Sequence, residues 1–204
     1  MHVREAASRR VRLPLGMRHC AAVDDAYLDR VLVGGRERRA IVIADPDPAW
    51  PRRFEAERER LLAALGDRAL RIEHIGSTAV PGLAAKPIVD ILVEVVRLDD
   101  AAGLERAGYV PRVREDEHRM FRTPELDVHV HVWPTGHPDI AAQLAFRDRL
   151  RASAEDRAAY EALKRELAAR DWADMNHYAD AKGALIREIR ARGGYTEPGR
   201  SLTG

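Results

Sequence analysis

A run of β-branched and other apolar residues at positions 88–96 is the feature that most constrains the fold of this chain. A run that is largely apolar on both alternating faces is typical of a strand buried in the centre of a sheet. Asp90 stands near its start, where a carboxylate costs free energy unless it meets a partner. The sequence therefore predicts a central strand with a polar site at its beginning. Capping of the preceding loop by Asp90 is the alternative.

A Gly-Ser turn precedes this strand. Gly76 and Ser77 follow a short predicted strand at positions 71–75. Such a turn exposes backbone N–H groups and one hydroxyl, to which phosphate oxygens can bind. A carboxylate on the neighbouring strand, here Asp90, can hold a divalent cation against those phosphates. The turn and the strand together favour a site for a metal and a phosphate.

The remaining pattern alternates between helical and strand periods. Trp50, Phe54, Leu61 and Leu65 recur at helical spacing and predict one helix. The clearest alternating strand is 127–133, and a hairpin is predicted at 109–114 and 118–122. Further helices are predicted at about 24–33, 98–107, 138–151, 155–170 and 174–192. These elements predict an α+β fold, an α/β sandwich in which a mixed β-sheet packs with helices and carries a helical C-terminal part.

The first 40 residues differ from the rest of the chain. They are rich in arginine near the beginning and sustain no hydrophobic period. We predict a mobile N-terminal extension at residues 1–40, one domain at 41–192 and a flexible tail at 193–204.

The composition narrows the classes of function. With 34 Lys and Arg against 33 Asp and Glu, the net charge of +1 in 204 residues argues against a general nucleic-acid-binding module. Any anion site must be local. The single cysteine, Cys20, excludes an intramolecular disulfide and fits a reducing compartment. Since no apolar run approaches the ~20 residues of a membrane span, we expect a cytoplasmic protein without a membrane partner.

Two histidines share one face of the predicted strand at 127–133. Together with Asp90 from a neighbouring strand, His129 and His131 can form a mixed imidazole and carboxylate metal site, which suits Mn, Zn or Fe better than Mg. Two histidines at alternate positions are also common on a strand that faces solvent. The residues alone leave both interpretations open.

The C-terminal helices turn cations toward their apolar sides. Lys182 falls within an apolar helical stripe, Arg147 and Arg151 share a face with Ile140, and Lys164 lies beside Tyr160. Cations rarely occupy such positions unless they meet a carboxylate or a phosphate. The alternative is that each stem packs while its charge reaches water. We favour an anion pocket, and we expect the Lys182 amine to pair with Asp90 or another acid when no ligand is bound.

The stretch 72–93 closely resembles the signature of the GrpB family, a branch of the nucleotidyltransferase-like superfamily. The resemblance covers roughly 41–189 and includes the segments 45–50 and 146–151, together with Tyr178 and Lys182. It implies a nucleotidyltransferase-like sheet, a divalent metal such as Mg or Mn, and transfer of a nucleotidyl group. The superfamily usually carries a second acid two residues after the first, where this chain has Leu92. It often has a third acid where His129 and His131 stand.

The resemblance also assigns roles to individual residues. It implies catalytic roles for Ser77, Asp90 and His131, a metal bound by Asp90 and His131, and a nucleotide or other phosphate-bearing ligand bound by Gly76, Ser77, Lys86, Arg147, Lys164, Tyr178 and Lys182. His131 would act as a metal ligand or as a proton carrier. Two alternatives stay open, the first favoured by Leu92 in place of an acid and the second by Asp90 with the histidine strand. One is a non-catalytic ligand-binding or accessory domain linked to coenzyme A metabolism, since such domains occur fused to dephospho-CoA kinases, and the other is a metal-dependent hydrolase.

Overall fold

A five-stranded mixed sheet forms the centre of the protein. The computed structural model describes residues 24–197. The strands are β1 (Arg71–Ile75), β2 (Val89–Val95), β3 (Val110–Arg114), β4 (Arg119–Arg122) and β5 (Val128–Pro134), in the spatial order β1-β2-β5-β4-β3. The β2 and β5 strands pair in parallel, and every other neighbouring pair is antiparallel. The predicted mixed sheet is confirmed, with the run around Asp90 at its centre.

Helices cover both faces of this sheet. They are α1 (Asp25–Val31), α2 (Ala49–Leu65), α3 (Gly103–Arg106), α4 (Pro138–Ala152), α5 (Ala154–Ala168), α6 (Met175–Asp180) and α7 (Gly183–Arg192). Short 3₁₀ turns occupy Gly66–Arg68, Ser77–Ala79 and Leu98–Ala102. Within residues 24–197, no helix is both long enough and apolar enough to cross a membrane.

The prediction of one continuous helix at 174–192 is wrong, because the chain breaks between α6 and α7. At the break, the Lys182 N–H donates to the Ala179 carbonyl at 3.4 Å, a bond to the third preceding residue instead of the fourth. Such a tightened turn interrupts the α-helical ladder. Gly183 follows at once, and glycine is a poor former of helix interiors.

Alternating side chains of β2 pack on both sides of the sheet. Ile91, Val93 and Val95 are fully buried in the cluster that contains Leu61 and Leu65 of α2. The opposite face holds a second cluster, made by Leu92 with Ile75, Trp133 and Ile140 of α4. The sheet therefore lies between α2 and α4, and the predicted sandwich is confirmed.

Strand register brings the predicted polar residues together. Asp90 pairs with Ile75 of β1 on one side and with His129 of β5 on the other, and Leu92 pairs with His131. Since alternate residues of a strand face the same side, Asp90 and both histidines emerge on one face near the start of β2.

Part of the predicted N-terminal extension packs against the domain. Leu28 and Val31 of α1 are buried, and Arg112 of β3 donates to the carbonyl oxygens of Val33 and Gly35 at 2.8 and 2.5 Å. These contacts place the segment from α1 to Gly35 against the β3 edge of the sheet. The domain boundary at residue 41 stays a prediction, and the parts of the two terminal predictions that fall on residues 1–23 and 198–204 lie outside the described residues.

Candidate metal and anion site

Asp90, His129 and His131 form a three-residue cluster at the start of β2. The Asp90 Oδ1 atom lies 3.4 Å from His129 Nδ1 and 3.8 Å from His131 Nε2, and one donor atom of each residue lies within 4.8 Å of the others. Ligand bonds of about 2.1 Å to a tetrahedral ion put two donor atoms ~3.4 Å apart, so this spacing fits a bound metal. The three side chains remain 22–31% exposed, which leaves room for a further ligand.

The types of ligand atom in this cluster indicate which metals it suits. Imidazole and carboxylate together form a donor set that suits Mn, Zn or Fe. Both histidines belong to the cluster, although the resemblance singled out His131 alone.

Leu92 stands where the resemblance implied a second carboxylate after Asp90. Leu92 is fully buried in the core. Glu94, the next residue on the same face, accepts a hydrogen bond from the Thr135 hydroxyl at 2.8 Å and pairs with Arg71 at 3.3 Å. Any metal in the cluster therefore has one protein carboxylate from β2.

Gly76 lies directly against Asp90. Its backbone angles are φ 69° and ψ −169°, a conformation that is restricted almost entirely to glycine. A Cβ atom added at Gly76 would lie 2.5 Å from Asp90 Oδ2, closer than real contacts allow. Ser77 follows as the first residue of a 3₁₀ turn, and its side chain opposes the rise that burial causes in the pKa of Tyr160. The predicted contact between the Gly-Ser turn and the acidic strand is present.

Two lysine amines flank the ring of Tyr178. The Lys182 Nζ atom lies 4.5 Å from the ring centroid and the Lys86 Nζ atom lies 5.3 Å from it. Among residues 24–197, neither amine has a carboxylate within 4.0 Å, and the buried Tyr178 hydroxyl has no hydrogen-bond partner. Burial, followed by repulsion from Lys86, lowers the pKa of Lys182 to about 7, while Asp90 opposes this shift.

The expected direct pairing of Lys182 with an acid is wrong in this structure. The amine rests on the face of Tyr178, where cation–π attraction replaces an ion pair. Both lysine amines are half-buried and lie close enough to Asp90 for its charge to act on them. Since neither meets a carboxylate within residues 24–197, an anionic ligand can complete the site.

Two other residues that the resemblance predicted to bind phosphate form hydrogen bonds with other groups of the protein. The Lys164 amine donates to the Ala84 carbonyl and lies 5.0 Å from the centroid of Tyr160. Arg147 donates to Glu73 and Asp148, each at 2.8 Å, and to the His74 carbonyl at 3.0 Å. These contacts favour structural roles for Lys164 and Arg147, which brace the chain around the Gly-Ser turn, and their phosphate roles stay predictions.

Sequence reasoning missed His118 and Glu115. His118 Nε2 lies 3.2 Å from His131 Nδ1, and His118 Nδ1 lies 2.9 Å from Glu115 Oε2. The sequence signal available for these two residues was the predicted hairpin strand that begins at residue 118. Without the pairing of β4 with β5, nothing in the sequence links this position to His131.

A cleft of about 430 Å³ adjoins the cluster. Its lining includes Lys86, Ile88, Met120, Leu126, His129 and Met175. Glu37, which also borders the cleft, is held by both terminal nitrogens of Arg122 at 2.7 and 2.9 Å, so its charge is matched inside the protein. The cleft thus combines apolar walls with polar groups, and its lining includes Lys86 and His129 of the candidate site.

The sheet and this site define a small α+β protein with a cluster of one carboxylate and two imidazoles beside a Gly-Ser turn. The family model described as "GrpB protein" matches residues 40–192, and the chain belongs to the GrpB family. A UPF0157 protein of Streptomyces coelicolor is 49% identical over 167 residues, which cover 80% of this chain and 89% of that protein. The crystal structure of conserved protein GrpB from Enterococcus faecalis matches with a TM-score of 0.65 and 33% identity, covering 74% of this chain and 96% of that one.

The chain is also similar to part of a larger protein. A dephospho-CoA kinase of Mycolicibacterium paratuberculosis is 31% identical over 188 residues, which cover 76% of this chain and 46% of the kinase. The matching region is therefore less than half of that protein.

Proposed function

We propose that this protein is a metal-dependent, nucleotidyltransferase-like enzyme that binds a nucleotide or another phosphate-bearing ligand. One observation carries the proposal: the Asp90, His129 and His131 cluster lies against the Gly76 turn. Within residues 24–197 the amines of Lys86 and Lys182 pair with no carboxylate, and both lie close enough to Asp90 for its charge to act on them. Metal ligands, a phosphate-binding turn and unpaired cations are the three parts that phosphoryl chemistry requires.

Each group then has a distinct task. Backbone N–H groups and the Ser77 hydroxyl at the turn bind phosphate oxygens, and the amines of Lys86 and Lys182 neutralise negative charge. Asp90, His129 and His131 hold the metal, which when bound supplies Lewis-acid stabilisation of developing negative charge. The rest of the rate enhancement comes from positioning the reacting groups.

The adjoining cleft suits the body of the ligand. It begins at His129 and Lys86, so a ligand with phosphates at the turn can extend into it without leaving the protein. Its volume lies within the range of small-molecule sites, and its apolar walls with polar edges match a nucleoside.

Titration calorimetry with Mn²⁺ and ATP tests the proposal. We expect Mn²⁺ to bind the wild-type protein, ATP to bind more tightly with Mn²⁺ than without it, and Asp90→Asn to lose the Mn²⁺ dependence. Release of pyrophosphate from α-labelled ATP, with the label retained on an acceptor, then identifies nucleotidyl transfer. A protein that binds neither Mn²⁺ nor ATP contradicts the proposal.

A metal-dependent hydrolase is the second candidate, and the donor set favours it. Two histidines and a single carboxylate are typical of sites that activate a water molecule. The same labelled assay separates the two candidates, since a hydrolase releases the labelled fragment to water and requires no acceptor. An accessory domain linked to coenzyme A metabolism, supported by the similarity to a dephospho-CoA kinase, would bind its ligand with no turnover.

A further inference from the structure

A buried histidine connects the metal-ligand cluster to a carboxylate outside it. The ring of His118 lies between Glu115 and His131, at 2.9 Å from a carboxylate oxygen of Glu115 and 3.2 Å from the Nδ1 atom of His131. Both distances are those of hydrogen bonds. The side chains of His118 and Glu115 are only 11% and 9% exposed, so water competes little for these contacts.

Aromatic packing fixes the rings in this arrangement. The rings of His118 and His131 stack with centroids 5.4 Å apart, and the Trp133 ring stacks on them at 4.7 and 5.5 Å. The backbone around Glu115 is fixed as well, because the Arg119 guanidinium donates to the carbonyl oxygens of Glu115 and His118. Neither imidazole can rotate without breaking these contacts.

Counting donors and acceptors assigns the protons along this chain of groups. An ionised carboxylate only accepts, so the Nδ1–H group of His118 donates to Glu115. In the neutral His118 ring the Nε2 atom is then an acceptor, and it receives the Nδ1–H group of His131. The Nε2 atom of His131 is left with a lone pair, which faces Asp90 Oδ1 at 3.8 Å.

That last distance is informative because both facing atoms are acceptors. A separation of 3.8 Å is too long for a hydrogen bond, and two acceptors gain nothing from facing each other. Asp90 and His131 would both direct a lone pair to a cation held at this site. The arrangement follows the general pattern in which a metal-binding histidine donates its other N–H to a partner.

We propose that Glu115 and His118 are positioning residues that hold His131 as its Nδ1–H tautomer and so present its Nε2 atom as a metal ligand. The inference rests on the proposed function for the presence of a metal, and it deepens that function by assigning His131 the role of ligand instead of proton donor. Glu115 and His118 act through His131 and touch neither the metal nor the phosphate ligand.

Nitrogen-15 NMR of the metal-free 204-residue chain at neutral pH tests the tautomer directly. We expect His131 to carry its proton on Nδ1, and Glu115→Ala to convert it to a mixture of tautomers. An Nε2–H tautomer of His131 in the wild-type protein overturns the inference. Since this measurement uses no metal, its result is independent of whether the proposed function holds.

The affinity for Mn²⁺, measured by titration calorimetry, supplies the second test. Loss of such an outer partner typically weakens metal binding by about 10- to 100-fold, which we expect for Glu115→Ala and for His118→Phe. His118→Phe keeps an aromatic ring against Trp133 and removes only the hydrogen bonds. Glu115→Gln retains an acceptor for His118 and should keep most of the affinity.

Glu117→Ala is the matched control, because Glu117 is an exposed acid of the same loop and its loss changes the net charge equally. Its Mn²⁺ affinity should equal that of the wild-type protein. If His118→Phe fails to fold, Glu115→Ala against Glu115→Gln carries the test. Folded Glu115→Ala protein with wild-type Mn²⁺ affinity overturns the inference, and absence of Mn²⁺ binding in the wild type contradicts the proposed function instead.

Discussion

Gly76 packs so closely against Asp90 that no side chain fits at position 76. A Cβ atom on Gly76 would lie 2.5 Å from Asp90 Oδ2 and 3.1 Å from Asp90 Cβ. Asp90 lies on β2 and pairs in register with Ile75, the last residue of the adjacent strand β1 and the neighbour of Gly76. The closeness of the Gly-Ser turn to the metal-ligand cluster therefore depends on a position that only glycine can fill.

Substitution of Gly76 should damage the site as well as the fold. We expect Gly76→Ala to cost about 1–3 kcal/mol of unfolding free energy from its backbone conformation alone. It should also abolish Mn²⁺ binding, because Asp90 must move. Gly82→Ala is the control, since Gly82 also has a positive φ of 75° but has open space around its Cβ position. Chemical denaturation and calorimetry measure both effects, and equal Mn²⁺ affinities of the two variants would show that the contact is unimportant.

The sequence predicted the parts of this site that periodicity controls. Alternation in β2 and β5 placed Asp90, His129 and His131 on one face, and the strands pair so that the three residues meet. The helical stripe around Tyr178 correctly turned Lys182 toward the protein, even though the helix breaks there. One tightened turn does not change which residues form a hydrophobic stripe. The sequence pattern therefore did not predict the break between α6 and α7.

Contacts between separate elements could not be predicted in the same way. Arg147 meets Glu73 across the domain, and His118 meets His131 through the pairing of β4 with β5. No local spacing encodes such partners, because they depend on how strands and helices pack. The sequence predicted a helix at 24–33 but not its packing, since Leu28 and Val31 become buried only against the rest of the domain.

Removal of the Asp90 charge should separate metal binding from stability. We expect Asp90→Asn to abolish the stabilisation by Mn²⁺, which is about 2.7 kcal/mol for wild-type protein at a hundred times the Kd. Glu94→Gln is the control, because Glu94 lies on the same face of the same strand but pairs with Arg71 and Thr135. Thermal unfolding with and without Mn²⁺ measures the difference. A Mn²⁺ response that persists in Asp90→Asn would make Asp90 a cap of the preceding loop.

Lys182 should make the stability of the metal-free protein depend on pH. Its folded pKa of about 7 lies below the ordinary value of 10.5, since burial, Lys86 and Lys164 disfavour the charge more than Asp90 favours it. Between these two values the unfolded chain binds more protons, so stability rises with pH across that window. Lys182→Met removes the charge and should stabilise the protein most below pH 7, with the gain fading toward pH 10. Denaturation at several pH values checks this, and a gain that does not change with pH would contradict it.

The same substitution should weaken anion binding. Tripolyphosphate affinity should fall more than tenfold in Lys182→Met, which corresponds to about 1.4 kcal/mol. Arg187→Met, on the following turn of α7, is the comparison for a cation outside the Tyr178 pair. Calorimetry at pH 6, where Lys182 carries its charge, gives the largest difference. Equal affinities in wild-type protein and Lys182→Met would remove Lys182 from the anion site.

A side chain that fills the cleft should weaken binding of a nucleoside triphosphate but not of its phosphates alone. Met120→Trp fills part of the cleft, so we expect ATP affinity to fall more than tenfold, about 1.4 kcal/mol, while tripolyphosphate affinity stays unchanged. Val110→Trp, at an exposed position of the edge strand β3, is the control and should alter neither affinity. Loss of both affinities in Met120→Trp would mean that the variant disturbs the anion site itself.

Removal of the segment before residue 41 should destabilise the domain. A chain that starts at residue 41 lacks Leu28 and Val31, which are 2% and 7% exposed, and exposes the surface they cover on the β3 side of the sheet. Full burial of such side chains is worth about 1.5–3 kcal/mol each, so we expect a loss of roughly 3 kcal/mol or more. The chain that starts at residue 24 keeps α1 and the bonds from Arg112 to Val33 and Gly35, and it serves as the control. Urea denaturation compares the two chains. Equal midpoints and slopes would show that residues 24–40 are a dispensable extension.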